Sequence, residues 1–277
     1  VRNDGELENK GVEFAISTQN LKDRSLRWST DFNISFNKNE VTKLELQKVY
    51  DYAGIYSNGE SAIRMTEGQA LGTFFGYISE GVNPETGNIM YKDVDGNGSI
   101  TPDDRTVIGH AAPKFIYGLT NSLSFMGFDL NIFIQGVQGN EIFNATKMDL
   151  EGMFDSKNQS TNILDRWQQP GDITDIPKAN AAGDGNLDNI HNSTRFVEDG
   201  SFLKLKTISL GYNFLPKTLR PLHISSARLY VSAENIATIT GYSGNDPEVS
   251  TRNSILTPGF DWSPYPRSFN MSVGLNV

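Results

Sequence analysis

The stretch "DVDGNGSITPDD", residues 93–104, carries the most recognisable chemistry in the chain. Oxygen-bearing residues stand at its first, third, fifth, seventh, ninth and twelfth positions, with Gly98 at the sixth, which is the spacing of an EF-hand calcium loop. Asp93, Asp95, Asn97 and Asp104 offer side-chain oxygens, Ser99 its backbone carbonyl and Thr101 a bridging water. Gly96 and Gly98 permit sharp turns. The twelfth residue is Asp rather than Glu, so bidentate closure is less assured. The flanks do not read as a helix–loop–helix, and the same residues also suit a tight Asp/Gly turn that holds no metal. Spacing leaves both readings open. Any bound calcium would be structural, because no general base or electrophile accompanies it.

No catalytic constellation rises above background, so no enzyme is expected. His110, His191 and His223 lack ligand-like spacing and read as surface histidines. Ser201 and Lys204 match Ser-x-x-Lys, but residues three apart on a strand point to opposite faces. Sequons begin at Asn144, Asn158 and Asn192, yet three-residue patterns arise by chance. The net charge of −9 and the absence of a basic cluster argue against nucleic acid. Cysteine is absent, which removes disulfide and thiolate chemistry. No apolar run is long enough for a transmembrane helix, a fact that says nothing against a membrane barrel.

The elements that must hold the acidic loop are strands, because period-two alternation dominates. In "RWSTDFNISFN", Trp28, Thr30, Phe32, Ile34 and Phe36 share one face and Ser29, Asp31, Asn33, Ser35 and Asn37 the other. Similar alternation marks residues 10–18, 114–125, 127–136, 227–235 and 268–277. Asn121 interrupts the apolar face of its segment. In "SFLKLKTISLGYNF" the phase slips, predicting a bulge near Thr207. Connections alternate short and long, with long ones near 48–112, 139–198 and 238–266. That alternation suits an up-and-down membrane barrel. A soluble antiparallel sandwich produces the same periodicity, with a protein core in place of lipid. "NEIFNATKMDLEGMFD", residues 140–155, reads as a helix in an outer loop.

Several stretches in order, "ELENKGVEF", "WSTDFNISFNKNEVTKL", "YKDVDGNGSITPDDRTVIGHAAPKFIYGLTNSLSFMGFDLNIFIQGVQGNEIFN", "LDRWQQPGDITDIPK" and "NDPEVS", resemble the C-terminal barrel portion of SusC/RagA-type TonB-dependent outer-membrane transporters. The resemblance spans essentially all of residues 1–277. It implies an all-β fold, the last strands of a 22-stranded antiparallel transmembrane barrel with long extracellular loops and short periplasmic turns. It also implies an outer-membrane location in a Gram-negative bacterium and import of oligosaccharides or oligopeptides. The implied partners are a SusD-like lipoprotein lid and the TonB complex, the latter reached through an N-terminal plug. Plug, TonB box and N-terminal strands are absent from the sequence, and the remainder of the same barrel is expected to supply them. Family members commonly end in an aromatic residue, whereas this sequence ends in Val277.

On this reading the apolar faces contact outer-membrane lipid, and the lumen carries Glu13, Asp31, Asp129, Arg228 and Glu234. Tyr242, Trp262 and Tyr265 are candidates to stack on a substrate's sugar rings, or to anchor at the membrane interface. The alternative function is a soluble, calcium-stabilised β-domain that binds glycans. Dependence on detergent separates the two.

Overall fold

The structure is a computed structural model, and it describes residues 5–23, 25–54, 59–154, 157–180, 188–249 and 254–277. Seven strands form one antiparallel sheet: β1 (Gly5–Lys22), β2 (Leu26–Leu44), β3 (Phe115–Phe125), β4 (Phe128–Gln138), β5 (Phe202–Asn213), β6 (Arg228–Thr240) and β7 (Asn270–Asn276). Each pairs with its neighbour in sequence, giving an uninterrupted meander. All seven expected strands are present, and the expected loop alternation holds. The tightest turn, Met126–Gly127, has φ of 48° and 90°, both positive as a two-residue hairpin of the favoured twist requires.

Register explains why alternation was so legible. Leu21, Trp28, Leu123, Leu130, Leu210, Val231 and Val273 lie side by side across all seven strands. The adjacent row, on the opposite face, is Gln19, Ser29, Ser122, Asn131, Ser209, Ser232 and Ser272. One face is therefore apolar and the other small and polar. The bulge falls where the phase slips: the register shifts between Leu205 and Thr207, which restores the apolar face beyond it.

The apolar face points away from protein. Phe14, Ile16 and Phe128 are 58 %, 59 % and 51 % exposed, values at odds with a sandwich core. Aromatic rings band this face at both ends. Phe36, Phe115 and Tyr117 cluster at one end, with Phe36 and Phe115 5.5 Å apart. Phe128, Tyr212 and Phe214 cluster at the other, close to Phe125 and the Met126–Gly127 turn. The ten-residue rise from Phe115 to Phe125, at about 3.3 Å each and tilted about 40°, covers about 25 Å, the height of a membrane barrel's apolar band. Asn121 is accommodated there by neighbours: its Oδ1 accepts from Thr30 Oγ1 (2.8 Å) and Trp28 Nε1 (3.0 Å). This is the wall of an antiparallel transmembrane β-barrel.

The polar face carries the five charged residues expected of a lumen. Arg228 on β6 reaches across β5 to Asp129 on β4, Nη2 to Oδ2 at 2.5 Å. It passes over Gly211, where a Cβ would meet the guanidinium at 2.5 Å. Glu13 accepts from Ser35 Oγ at 3.2 Å.

The protein core lies elsewhere, in the three long connections. Together they build a cap from a four-stranded sheet (49–54, 61–66, 73–76, 106–110), a three-stranded sheet (141–144, 197–199, 260–261) and a small hairpin (79–82, 89–91). Phe74 comes from the first connection, Phe143 and Phe196 from the second, and Phe260 from the third. None of the four is more than 1 % exposed. Phe143 stacks on Phe260 with ring centroids 5.9 Å apart, and its centroid is also 5.9 Å from that of Phe74. The helix expected over 140–155 is shorter: 141–144 is strand, and α1 spans Ala145–Glu151. Ile142 and Phe143, both fully buried, belong to the three-stranded sheet, and Asn144 then caps the helix, its side chain accepting from Lys147 N at 2.8 Å. Asp155, at the end of the expected helix, lies outside the described residues.

Candidate functional site

The acidic loop folds around its own carboxylates. Gly96 and Gly98, at φ 74° and 84°, bend the backbone so that both donate N–H bonds to Asp93 at 2.7 Å. Asp95 accepts from Asn97 N (3.0 Å) and Nδ2 (2.8 Å), and Asn97 Oδ1 accepts from Ser99 N (2.8 Å). Asp104 is fully buried and takes the N–H groups of Val94 and Thr101, each at 2.7 Å. The Thr101 N–H, helped by those of Val94 and Asp95, holds the Asp104 carboxyl below the usual carboxylate range against the opposing effect of burial. Oxygens of Asp93, Asp95 and Asp104 all lie within 4.8 Å of one another. Three hard carboxylate oxygens, with the Asn97 amide and the Ser99 carbonyl nearby in sequence, form a donor set that suits calcium. Next to the loop, Arg105 donates to Ser61 O at 2.7 Å, tying this segment to the cap's four-stranded sheet.

The three candidate aromatics do not converge. Tyr242 is buried, and its hydroxyl donates to Asp261 in a short hydrogen bond. Burial and that carboxylate together push its phenol well above the ordinary range. Trp262 packs against the cap core and donates Nε1 to Asp149 at 3.0 Å. Tyr265 alone is open, at 92 % exposure. The histidines also differ from a uniform surface set. His191 Nδ1 lies 2.8 Å from Glu60, and its ring packs against Tyr77 and Tyr91, with centroids 5.0 and 5.6 Å away.

A charge cluster went unread in the sequence. Lys204, on the polar face of β5, is 1 % exposed and bonds Asp246 (3.1 Å) and Glu248 (2.6 Å). Lys206 bonds Glu248 at 2.9 Å, and Arg267 lies 3.7 Å from it. The "NDPE" segment of the third connection is thereby pinned to the wall. Burial works to raise the Glu248 carboxyl, but the hydrogen bonds from Lys204 and Lys206 prevail and hold it below the usual range. The available signal was "LKLK" on a strand, opposite two acids in a loop. Only the fold pairs them. Ser201 and Lys204 do lie apart: Ser201 accepts from Gln138 Nε2, a residue on the apolar-face side of β4, while Lys204 turns to the polar face.

A meandering wall, apolar on one face and polar on the other, with its long connections on one side gathered into a cap, defines an outer-membrane-type β-barrel protein. No family model matches the chain. Over its whole length it is 34 % identical to TonB-dependent receptor P3 and 30 % identical to TonB-dependent receptor P26, both of Formosa agariphila, and covers 29 % and 30 % of them. It is 28 % identical to TonB-dependent receptor SusC of Bacteroides thetaiotaomicron, again over the whole chain and 27 % of that relative. In fold it matches the RagAB peptide transporter with a TM-score of 0.78 at 22 % identity, over 99 % of this chain and 30 % of that one. The chain belongs to the SusC/RagA-type TonB-dependent receptors and spans about three-tenths of the length of these relatives.

Proposed function

We propose that the chain forms part of an outer-membrane transporter of a Gram-negative bacterium that imports oligosaccharides or oligopeptides. A SusD-like lipoprotein would close over the cap, and TonB would supply the energy through the rest of the receptor. The observation that carries this reading is the division of labour between faces. The apolar face suits lipid, the Ser/Asn/Gly face suits a hydrated passage for polar solutes, and the cap stands at one mouth. Exposed Tyr265 is the residue of the aromatic trio left to touch substrate, while Tyr242 and Trp262 brace the cap. Uptake by cells carrying the intact receptor, measured with oligosaccharide and oligopeptide mixtures, tests this. Accumulation of either class that is lost on deleting the receptor supports it, and failure with both sinks it.

A second role concerns the acidic loop. We infer that Asp93, Asp95, Asn97 and Asp104, with the Ser99 carbonyl and a water on Thr101, hold calcium. The support is the convergence of the three carboxylates, whose mutual repulsion a divalent cation offsets. The ion would stiffen the connection between the 79–91 hairpin and the 106–110 strand.

A further inference from the structure

On the apolar face, β1 and β2 show an ordered change of chemistry along their length. Val12 stands opposite Phe36, then Lys10 opposite Lys38, then Glu8 opposite Glu40. Phe36 belongs to the aromatic band on the cap side, so the lysine row sits one step beyond the apolar zone and the glutamate row one step further. Like charges directly opposite each other disfavour strand pairing. Here each lysine leans on the glutamate two residues along its own strand, Lys10 to Glu8 at 2.7 Å and Lys38 to Glu40 at 2.9 Å. Exposed pairs of this kind contribute little and are easily exchanged for a better anion.

At this level a groove of about 1200 Å³ opens between the strands and the underside of the cap. Val12, Phe36, Pro113 and Val197 give it an apolar lining, and Lys10, Lys38 and Lys114 border it. Four carboxylates border it as well: Glu40, which pairs with Lys38, and three on the cap, each of which accepts a backbone N–H. Glu141 accepts from His110 N at 2.7 Å, Glu198 from Ser243 N at 2.9 Å, and Asp199 from Ser201 N at 2.9 Å. Asn140, in the same wall, is buried with its Oδ1 unpartnered among the described residues. The groove thus combines an apolar floor continuous with the membrane band and cations at its border.

We propose that this groove binds a phosphate-bearing glycolipid of the outer leaflet. An acyl chain lies along Val12 and Phe36, and the phosphate meets Lys10, Lys38 and Lys114. A lipid suits the site better than a free anion because the apolar lining and the cations occur together, at the boundary of the band. The proposal rests on the outer-membrane reading above.

The test is native mass spectrometry of the intact receptor, released from detergent with added phosphorylated lipid A, its dephosphorylated form, or inorganic phosphate. The expected result is retention of phosphorylated lipid A, binding at least about tenfold weaker for the dephosphorylated form, and no displacement by inorganic phosphate. Combining Lys10→Gln, Lys38→Gln and Lys114→Gln should weaken retention similarly, while Lys217→Gln in the 214–227 turn should not. Equal binding of the two lipids, displacement by inorganic phosphate, or full retention by the triple variant overturns the proposal. The comparison of the two lipids needs no variant, so a misfolded triple variant does not spoil it. Heat-modifiable migration of the wild-type receptor in detergent checks the barrel independently. A receptor that folds and stays soluble without detergent defeats the membrane reading itself.

Discussion

The wall and the cap bury their apolar residues in opposite senses. In the wall, Phe14, Ile16 and Phe128 face outward, and the opposite side of the sheet is polar, with serine and asparagine interspersed with charged residues such as Asp129, Lys204 and Arg228. In the cap, Phe74, Phe143, Phe196 and Phe260 face one another and are sealed from solvent. The wall depends on lipid to cover its large side chains, whereas the cap carries its own core. A single exposure rule misreads one of the two: outward phenylalanines are the stable arrangement in the wall and would be a defect in the cap.

That contrast can be broken from either side. Phe143→Ala should have the largest effect, destabilising the cap by about 3–5 kcal/mol because the ring is the shared contact of Phe74, Phe196 and Phe260. Limited proteolysis should then cut the loops rapidly while heat-modifiable migration of the barrel persists. Loss of both together would mean that wall and cap are one cooperative unit. Next, Ile132→Arg places a charge on the lipid face of β4, at a cost of about 2–4 kcal/mol, whereas Asn131→Arg projects into the lumen and should be nearly neutral. Assembled receptor in the membrane fraction is the readout, and equal yields would overturn the assigned facing.

Lys204→Ala tests the seam between the regions. It removes charge-assisted bonds worth about 1.5–3 kcal/mol and leaves Asp246 beside Glu248 with weaker compensation. Hydrogen exchange in residues 241–249 should quicken without loss of the barrel. Acid should mimic it. The Glu248 carboxyl is held below its ordinary 4.5, so its contribution is fully present above that value and is lost as pH falls through the lower folded value. Protection of residues 241–249, corrected for the intrinsic pH dependence of exchange, that stays unchanged as pH falls well below 4.5 would refute the anchor. The smallest effect is expected at the acidic loop. Millimolar calcium at an extracellular-type site contributes about 1 kcal/mol, so chelation or Asp95→Ala should modestly accelerate proteolysis within residues 90–112. If neither does, the loop is only a turn.

The wall was legible because lipid on one side and water on the other impose period two on every strand. Even the bulge at Lys206 left its mark, since Leu203 and Leu205 stand out of phase with Ile208 and Leu210. The cap was not legible, because its core joins residues from three connections. "TFFG", "EIFN" and "GFDW" are each too short to announce a partner. The 141–144 strand hides within a helical pattern for the same reason: a brief apolar run does not distinguish the two periods. The acidic loop announced its ligands through spacing, whereas the Lys204 cluster depends on a loop returning to a strand about forty residues earlier, and no local pattern encodes that.

The meander also sets an order of assembly. Each wall strand pairs with the strand before it, and the Met126–Gly127 hairpin can form from adjacent residues alone. The cap's phenylalanines lie roughly seventy to more than a hundred residues apart from Phe74 to Phe143 and from Phe143 to Phe260, so closing their core carries the larger loop-closure entropy. We therefore expect the hairpins to zip first and to bring the roots of the three connections together, with the aromatic core condensing last. Pulsed proteolysis during refolding into detergent would find the strands protected before residues 60–111. Simultaneous protection would show that the cap helps nucleate the wall beneath it.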